Sequence, residues 1–174
     1  TKVNAYLASK ILAMLIVGLL LILMRVCFRK DAWIYALCLT NIGFLDLCYY
    51  TWSEVPFILF LSGFGLVLAR ILKEDHPGAK WYVLLGIMGI CSFLTRYFGI
   101  YVWIVTGVYI CALLWKYYKK REKNDFHKAV CLGITSAVSG ILSMGYLMMN
   151  KIMNGMASGV SRTMWWDDFR TLTD

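Results

Sequence analysis

Long apolar runs separated by short polar breaks set the rhythm of this chain, and the run lengths predict membrane-spanning helices. From Ile11 to Met24 the side chains are apolar without interruption, and Tyr6 to Phe28 as a whole suffices to cross a hydrocarbon core about 30 Å thick. Lys10 and Arg25 sit where they can snorkel to opposite interfaces. A second, weaker stretch, about Ala32 to Trp52, is interrupted by Asn41 and Asp46, and a third runs from about Glu54 to Leu72. The polar loop Lys73 to Lys80 follows. Trp81 to Trp115 then carries one formal charge, Arg96. As a single helix these residues would extend about 52 Å, too long for one crossing, so the chain must turn back. Thr95-Arg96-Tyr97-Phe98-Gly99 supplies the only charged group together with a flexible glycine, which predicts two helices meeting there. After a basic stretch to Lys128, a sixth segment covers about Ala129 to Met149.

Composition agrees with this pattern. Apolar residues make up 60% of the 174 and charged residues 16%, with a mean hydropathy of +0.65. Soluble domains are nearer half apolar and a quarter charged. The expected fold is all-α: one polytopic transmembrane bundle of about six segments over residues 1–174. The chain starts at Thr1 without methionine and stops in a polar stretch, which reads as a piece of a longer protein. The net charge of +8 does not indicate nucleic acid, because Lys and Arg cluster just outside apolar runs rather than over a water-facing surface. With the loops after segments one, three and five placed in the cytoplasm, twelve of the eighteen Lys and Arg lie there, which follows the positive-inside rule. Glu54, the turn at Arg96 and the C-terminal tail then share the opposite face.

Six cysteines lie singly in or beside apolar runs, without a CxxC, and read as small core residues. His76 and His127 fall in polar loops away from any Cys/His cluster, so no metal site is predicted. Gly133, Ala137 and Gly140, with Ser136, Ser139 and Ser143, form a small-residue face suited to close helix packing. The basic run Lys116 to Lys123 fixes topology and touches anionic headgroups.

Asp46, Glu54 and Arg96 are the candidates for chemistry, since an ionisable group in a spanning segment is costly and marks a site by default. Arg96 can pair with either carboxylate, or grip a lipid-linked phosphate through its planar fork of donors. The plainer alternative places Arg96 and Glu54 at headgroup level in contact with water. Ser53-Glu54-Val55-Pro56 also reads as a helix start, with Ser53 as cap, an acid at the positive end and proline in the first turn. In the tail, Trp165-Trp166-Asp167-Asp168 reads as an aromatic anchor. The paired acids could hold a divalent cation, though no cofactor is predicted.

Three stretches together resemble the polytopic GT-C glycosyltransferases of the dolichyl-phosphate-mannose-protein mannosyltransferase-like group. Trp52 to Phe60 resembles their "SE-x-x-F" helix start and Leu94 to Ile100 their "L-T-R-Y-x-G" segment. Asn154 to Arg162 is similar to the Asn and Gly-x-x-Gly-x-x-Arg pattern after a later helix. Order and approximate spacing match over most of residues 40–165. The resemblance implies an inverting transferase that moves a sugar from a polyprenyl-phosphate donor to a glycan, lipid or protein acceptor. It places the reaction on the extracytoplasmic side of a membrane, in a bacterium the cytoplasmic membrane. Glu54, Arg96, Tyr97, Asn154 and Arg162 are the substrate-binding candidates. The family's catalytic carboxylate lies in a first outer loop, which would precede Thr1. A transporter or lipid-carrier flippase is the alternative, although the two halves show no self-similarity of the kind inverted repeats leave.

The charge asymmetry generates a topological expectation. Single cysteines placed at each loop of a Cys-free variant in intact cells should resist an impermeant reagent at Lys119 to Lys123 and react at Asn154 to Asp168. Labelling of the Lys119 region would overturn this orientation.

Overall fold

The computed structural model describes residues 5–39, 41–49 and 54–155. Among them the chain is helical, with no strand: α1 (Ala5–Phe28), α2 (Ala32–Cys38), α3 (Ile42–Tyr49), α4 (Glu54–Lys73), α5 (Ala79–Thr95), α6 (Tyr101–Lys120) and α7 (Lys123–Asn154). Four stretches are long and apolar enough to cross a bilayer: Leu7–Ile34, Glu54–Lys73, Tyr97–Lys120 and Lys123–Met153. The chain is therefore a helical membrane protein. The expected second segment is divided instead into two helices of seven and eight residues, each too short to cross alone. Asn41 lies at the break and its side chain accepts the Phe44 amide at 2.9 Å, a local bond that starts α3 and competes with helix continuation. α5, with 17 residues, falls just short of the length that marks the other four.

The chain forms two units, Thr1–Gly140 and Ile141–Asp174, with α7 running through the boundary. In the first unit the core lies among α4, α5, α6 and the first part of α7. Phe64, Val67, Leu68 and Ile71 recur at helical spacing along α4 and meet Tyr82 and Leu85 of α5, Val102 and Leu113 of α6, and Ala129 and Leu132 of α7. Glycine permits the closest approaches. A Cβ on Gly89 would meet Phe64 and Val102, and one on Gly86 would stand 3.3 Å from Thr135 of α7. The sequence pattern places this close packing on α7 itself, but a Cβ on Gly133 or Gly140 would meet no neighbour within 4 Å, and Ala137 is exposed. Ser139 is the member of that set buried in the first unit, where it accepts the Trp103 indole N–H at 2.9 Å. Of the cysteines whose burial is described, Cys27 and Cys111 are exposed, Cys48 and Cys91 are partly so, and Cys131 is partly buried against the core.

α1 stands at the margin of this unit with most of its apolar side chains exposed and Leu20 fully buried. From its far end, α2 and α3 lead back, and Lys10 Nζ donates to the Cys48 carbonyl at 3.4 Å. The end of α3 therefore returns to the level at which α1 began. The second unit contains the last turns of α7, where Ser143 is buried and Ile141, Met148 and Ile152 are exposed. α7 ends on Gly155, whose φ of +75° is the left-handed stop that glycine takes without strain.

The expected break in Trp81 to Trp115 is present. α5 stops at Thr95, Arg96 is extended (φ −152°, ψ 139°), and Tyr97–Ile100 form one 3-10 turn before α6. The Thr95 hydroxyl folds back onto the carbonyls of Cys91 (3.0 Å) and Ser92 (2.8 Å), and the Gly99 amide closes the turn on the Arg96 carbonyl at 2.8 Å. A Cβ at Gly99 would lie 2.5 Å from Phe93 Cα and 2.6 Å from the Ser92 carbonyl carbon, which are backbone atoms with nowhere to move. Gly99→Ala should therefore cost about 1–3 kcal/mol of overpacking strain. Thermal unfolding in detergent checks this. Gly107→Ala, in open space inside α6, is the matched control and should hold the melting temperature or raise it slightly, because alanine favours the helix.

Candidate functional site

One end of the first unit brings together the start of α4 and the end of α5. An acid in the first turn of a helix is stabilised by the unsatisfied amides there. Glu54 occupies that position on α4. Arg96, extended beyond α5 because the chain breaks there, reaches across to it, and its Nη1 forms an ion pair with Glu54 Oε1. The pair is unequally covered: the Glu54 side chain is 12% exposed and that of Arg96 34%. The contact is also single-pronged. Glu54 Oε2 is buried without a hydrogen bond, and the pair engages neither Arg96 Nη2 nor Nε. A guanidinium offers five N–H donors. Held by one nitrogen and a third open to its surroundings, Arg96 keeps a donor edge for a second anion.

Aromatic rings set the position of this edge. Tyr97, half exposed beside Arg96, packs edge-on to Phe93, with centroids 5.9 Å apart. Phe93 in turn lies 5.2 Å from Trp103 of α6, and the Trp103 indole is fixed to Ser139 of α7, whose hydroxyl donates to the Ser136 carbonyl at 3.1 Å. Three helices thus support the loop that carries Arg96. Charge alone points to Arg96 and Glu54; Phe93 and Trp103 carry no such signal, and Ser139 reads in the sequence only as part of a small-residue face. The ring ladder depends on where α6 restarts after the turn, and no local motif announces that.

Of the five binding candidates, the structure brings together Glu54, Arg96 and Tyr97. Asn154 closes α7 in the second unit, and Arg162 lies outside the described residues, as do Ser53 and the acids Asp167 and Asp168. Asp46 is exposed on α3, and Arg96 pairs with Glu54 rather than with it. His127 is not in a loop: α7 begins at Lys123, which puts His127 on its second turn, 3.6 Å from Cys131 Sγ. Among the described residues no three of His, Cys, Asp and Glu cluster as metal ligands would.

The unequal exposure predicts an asymmetry. Removing Arg96 strands a covered carboxylate, whereas removing Glu54 leaves a cation that can reach water or headgroups. Arg96→Ala should cost about 2–3 kcal/mol, below the full cost for a wholly buried pair. Glu54→Ala should cost about 1 kcal/mol or less, as for an exposed pair. The double variant should be more stable than Arg96→Ala alone, and denaturant unfolding of all three measures the cycle.

Comparison with protein-family models, with curated proteins and with solved structures finds no match to the chain.

Proposed function

We propose that this chain is part of an integral membrane glycosyltransferase that moves a sugar from a polyprenyl-phosphate donor to an acceptor at the extracytoplasmic face. The observation that carries the reading is the guanidinium of Arg96: fixed by one nitrogen to Glu54, partly exposed, and seated in the segment that resembles the GT-C "L-T-R-Y-x-G" motif. A polyprenyl-linked sugar stays in the bilayer, so its phosphate is met at the interface. As the glycosidic bond breaks, negative charge grows on the departing phosphate. A donor already held in place stabilises that charge without reorganising. Arg96 fills this role, Glu54 orients it, and Tyr97 offers a half-exposed ring beside the sugar. Asn154 and Arg162 remain binding candidates through the resemblance. No carboxylate of this chain is assigned the part of base.

The topology that goes with this reading has six crossings. α2 and α3 together make a broken second crossing, supported by the Lys10–Cys48 contact, and α5 is a short fifth one. Glu54 and Arg96 then share the extracytoplasmic end, while Lys119 to Lys123 are cytoplasmic, in a bacterial cytoplasmic membrane.

Arg96→Lys keeps the charge and loses the fork, and Arg96→Ala loses both. Transfer from a polyprenyl-phosphate sugar by the purified full-length protein should fall in turnover about a hundredfold for Ala, the scale of one lost transition-state donor. Lys should lie between Ala and the unaltered enzyme. The effect belongs in kcat because the contact strengthens as charge develops. Unchanged turnover in a folded Arg96→Ala protein would remove Arg96 from the chemistry and the reading with it.

A further inference from the structure

At the opposite end of the first unit, where α6 passes into α7, the charges are sorted in a way that their order in the sequence conceals. The turn needs only Arg121 and Glu122. Arg121 takes a left-handed conformation (φ 59°), and its amide closes on the Tyr117 carbonyl at 2.7 Å. Lys116 then gathers both nearby acids, with Nζ 2.9 Å from Asp125 Oδ2 and 3.5 Å from Glu122 Oε2. Asp125 and Lys128 are buried, and Lys128 Nζ donates to the Leu72 carbonyl in the last turn of α4 at 3.4 Å. Both acids are thus turned to one lysine. Lys119, Lys120, Arg121 and Lys123 stay exposed, and none has an ion pair among the described residues.

A groove of about 500 Å³ opens beside these cations, lined by Tyr117, Lys123, Phe126, His127 and Val130. The four α7 residues fall at i, i+3, i+4 and i+7, one stripe of the helix. Residues 125, 128, 129 and 132 form the buried stripe, so the groove lies on the side of α7 turned away from the core. Phe126, 47% exposed, and Val130, 41% exposed, supply an apolar floor, and Tyr117 packs on Phe126 with centroids 5.1 Å apart. Lys123 and His127, one turn apart, supply a polar rim.

We infer that this groove binds one anionic phospholipid of the leaflet at this end, its phosphate at Lys123 and His127 and an acyl chain along Phe126 and Val130. Charge complementarity selects the occupant. The free charge around the groove is wholly positive, while the floor is apolar and lies on the exposed face of α7, so the ligand must join a phosphate to a hydrocarbon chain. This goes beyond a diffuse attraction of the basic run to headgroups, since it requires a fixed stoichiometry and an apolar contact. It is independent of the transferase reading.

The test uses the full chain purified in mild detergent with phosphatidylglycerol or phosphatidylcholine added, and counts retained lipids by native mass spectrometry. One phosphatidylglycerol per chain should persist in preference to phosphatidylcholine. Lys123→Glu should weaken its retention at least about fivefold, the scale of one basic residue at a lipid surface. Val130→Trp, which fills the groove, should weaken it comparably, whereas Ile134→Trp, exposed one turn further along α7, should not. Millimolar glycerol 3-phosphate should fail to displace the lipid. All these positions are exposed, and an unchanged melting temperature confirms that each variant is folded. The site is overturned if Lys119→Glu with Lys120→Glu lowers retention as much as Lys123→Glu while Val130→Trp does nothing, the mark of diffuse attraction. Displacement by glycerol 3-phosphate would overturn it as well, because the apolar floor would then have no part.

Discussion

An arginine at the end of a membrane helix needs water, headgroups or an opposite charge, because hydrocarbon supplies none of the hydrogen bonds it loses. Arg96 meets that need at the one point where the long apolar stretch between Trp81 and Trp115 can break. The break gives Arg96 an extended backbone, which carries its side chain across to Glu54. Gly99 then lets the chain fold tightly against the last turn of α5, so that α6 restarts where Trp103 can meet Phe93 and Ser139. Ion pair, turn and ring ladder are therefore one construction, and the placement of α4, α5, α6 and α7 at this end depends on it.

The two ends of the first unit handle charge in opposite ways. At the Arg96 end a single cation meets a single acid through one pair of atoms, leaving donors over. At the Lys116 end there are many cations, and the two acids turn to one lysine, Asp125 buried and Glu122 exposed, while Lys128 reaches a helix-end carbonyl of α4. A carbonyl in a last helical turn has no partner within its helix, so a buried ammonium there satisfies both groups at once. In the reading proposed above, one end takes a particular anion and the other a leaflet rich in them.

Much of this was legible in the chain because apolar length and isolated charge are local signals. The helical class, the break at Arg96 and the singling out of Glu54 and Arg96 all follow from them. In the second segment Asn41 does more than dilute hydrophobicity, since its side chain caps α3 and splits the run, which apolar length alone does not reveal. Lys123 to Lys128 look like loop by charge, so the pattern places the start of this helix too late; Asp125 in the first turn and its lysine partner make them helix. Glycine was a poor guide to close packing on α7. Which face of a helix meets its neighbour is decided by tertiary arrangement, and the intimate contact fell to Gly86 on α5 instead.

α5 has one more effect, which falls on the membrane itself. Its 17 residues rise only about 26 Å, less than a hydrocarbon core of about 30 Å, while its neighbours in the bundle are longer. A bilayer meeting a helix shorter than its own thickness thins locally rather than exposing polar helix ends to hydrocarbon. In the proposed six-crossing topology α5 is one of the crossings, and the headgroup layer is then drawn down around its end, where Arg96 stands. Any molecule whose polar group travels with that layer reaches the arginine with less of its own chain pulled out of the oil.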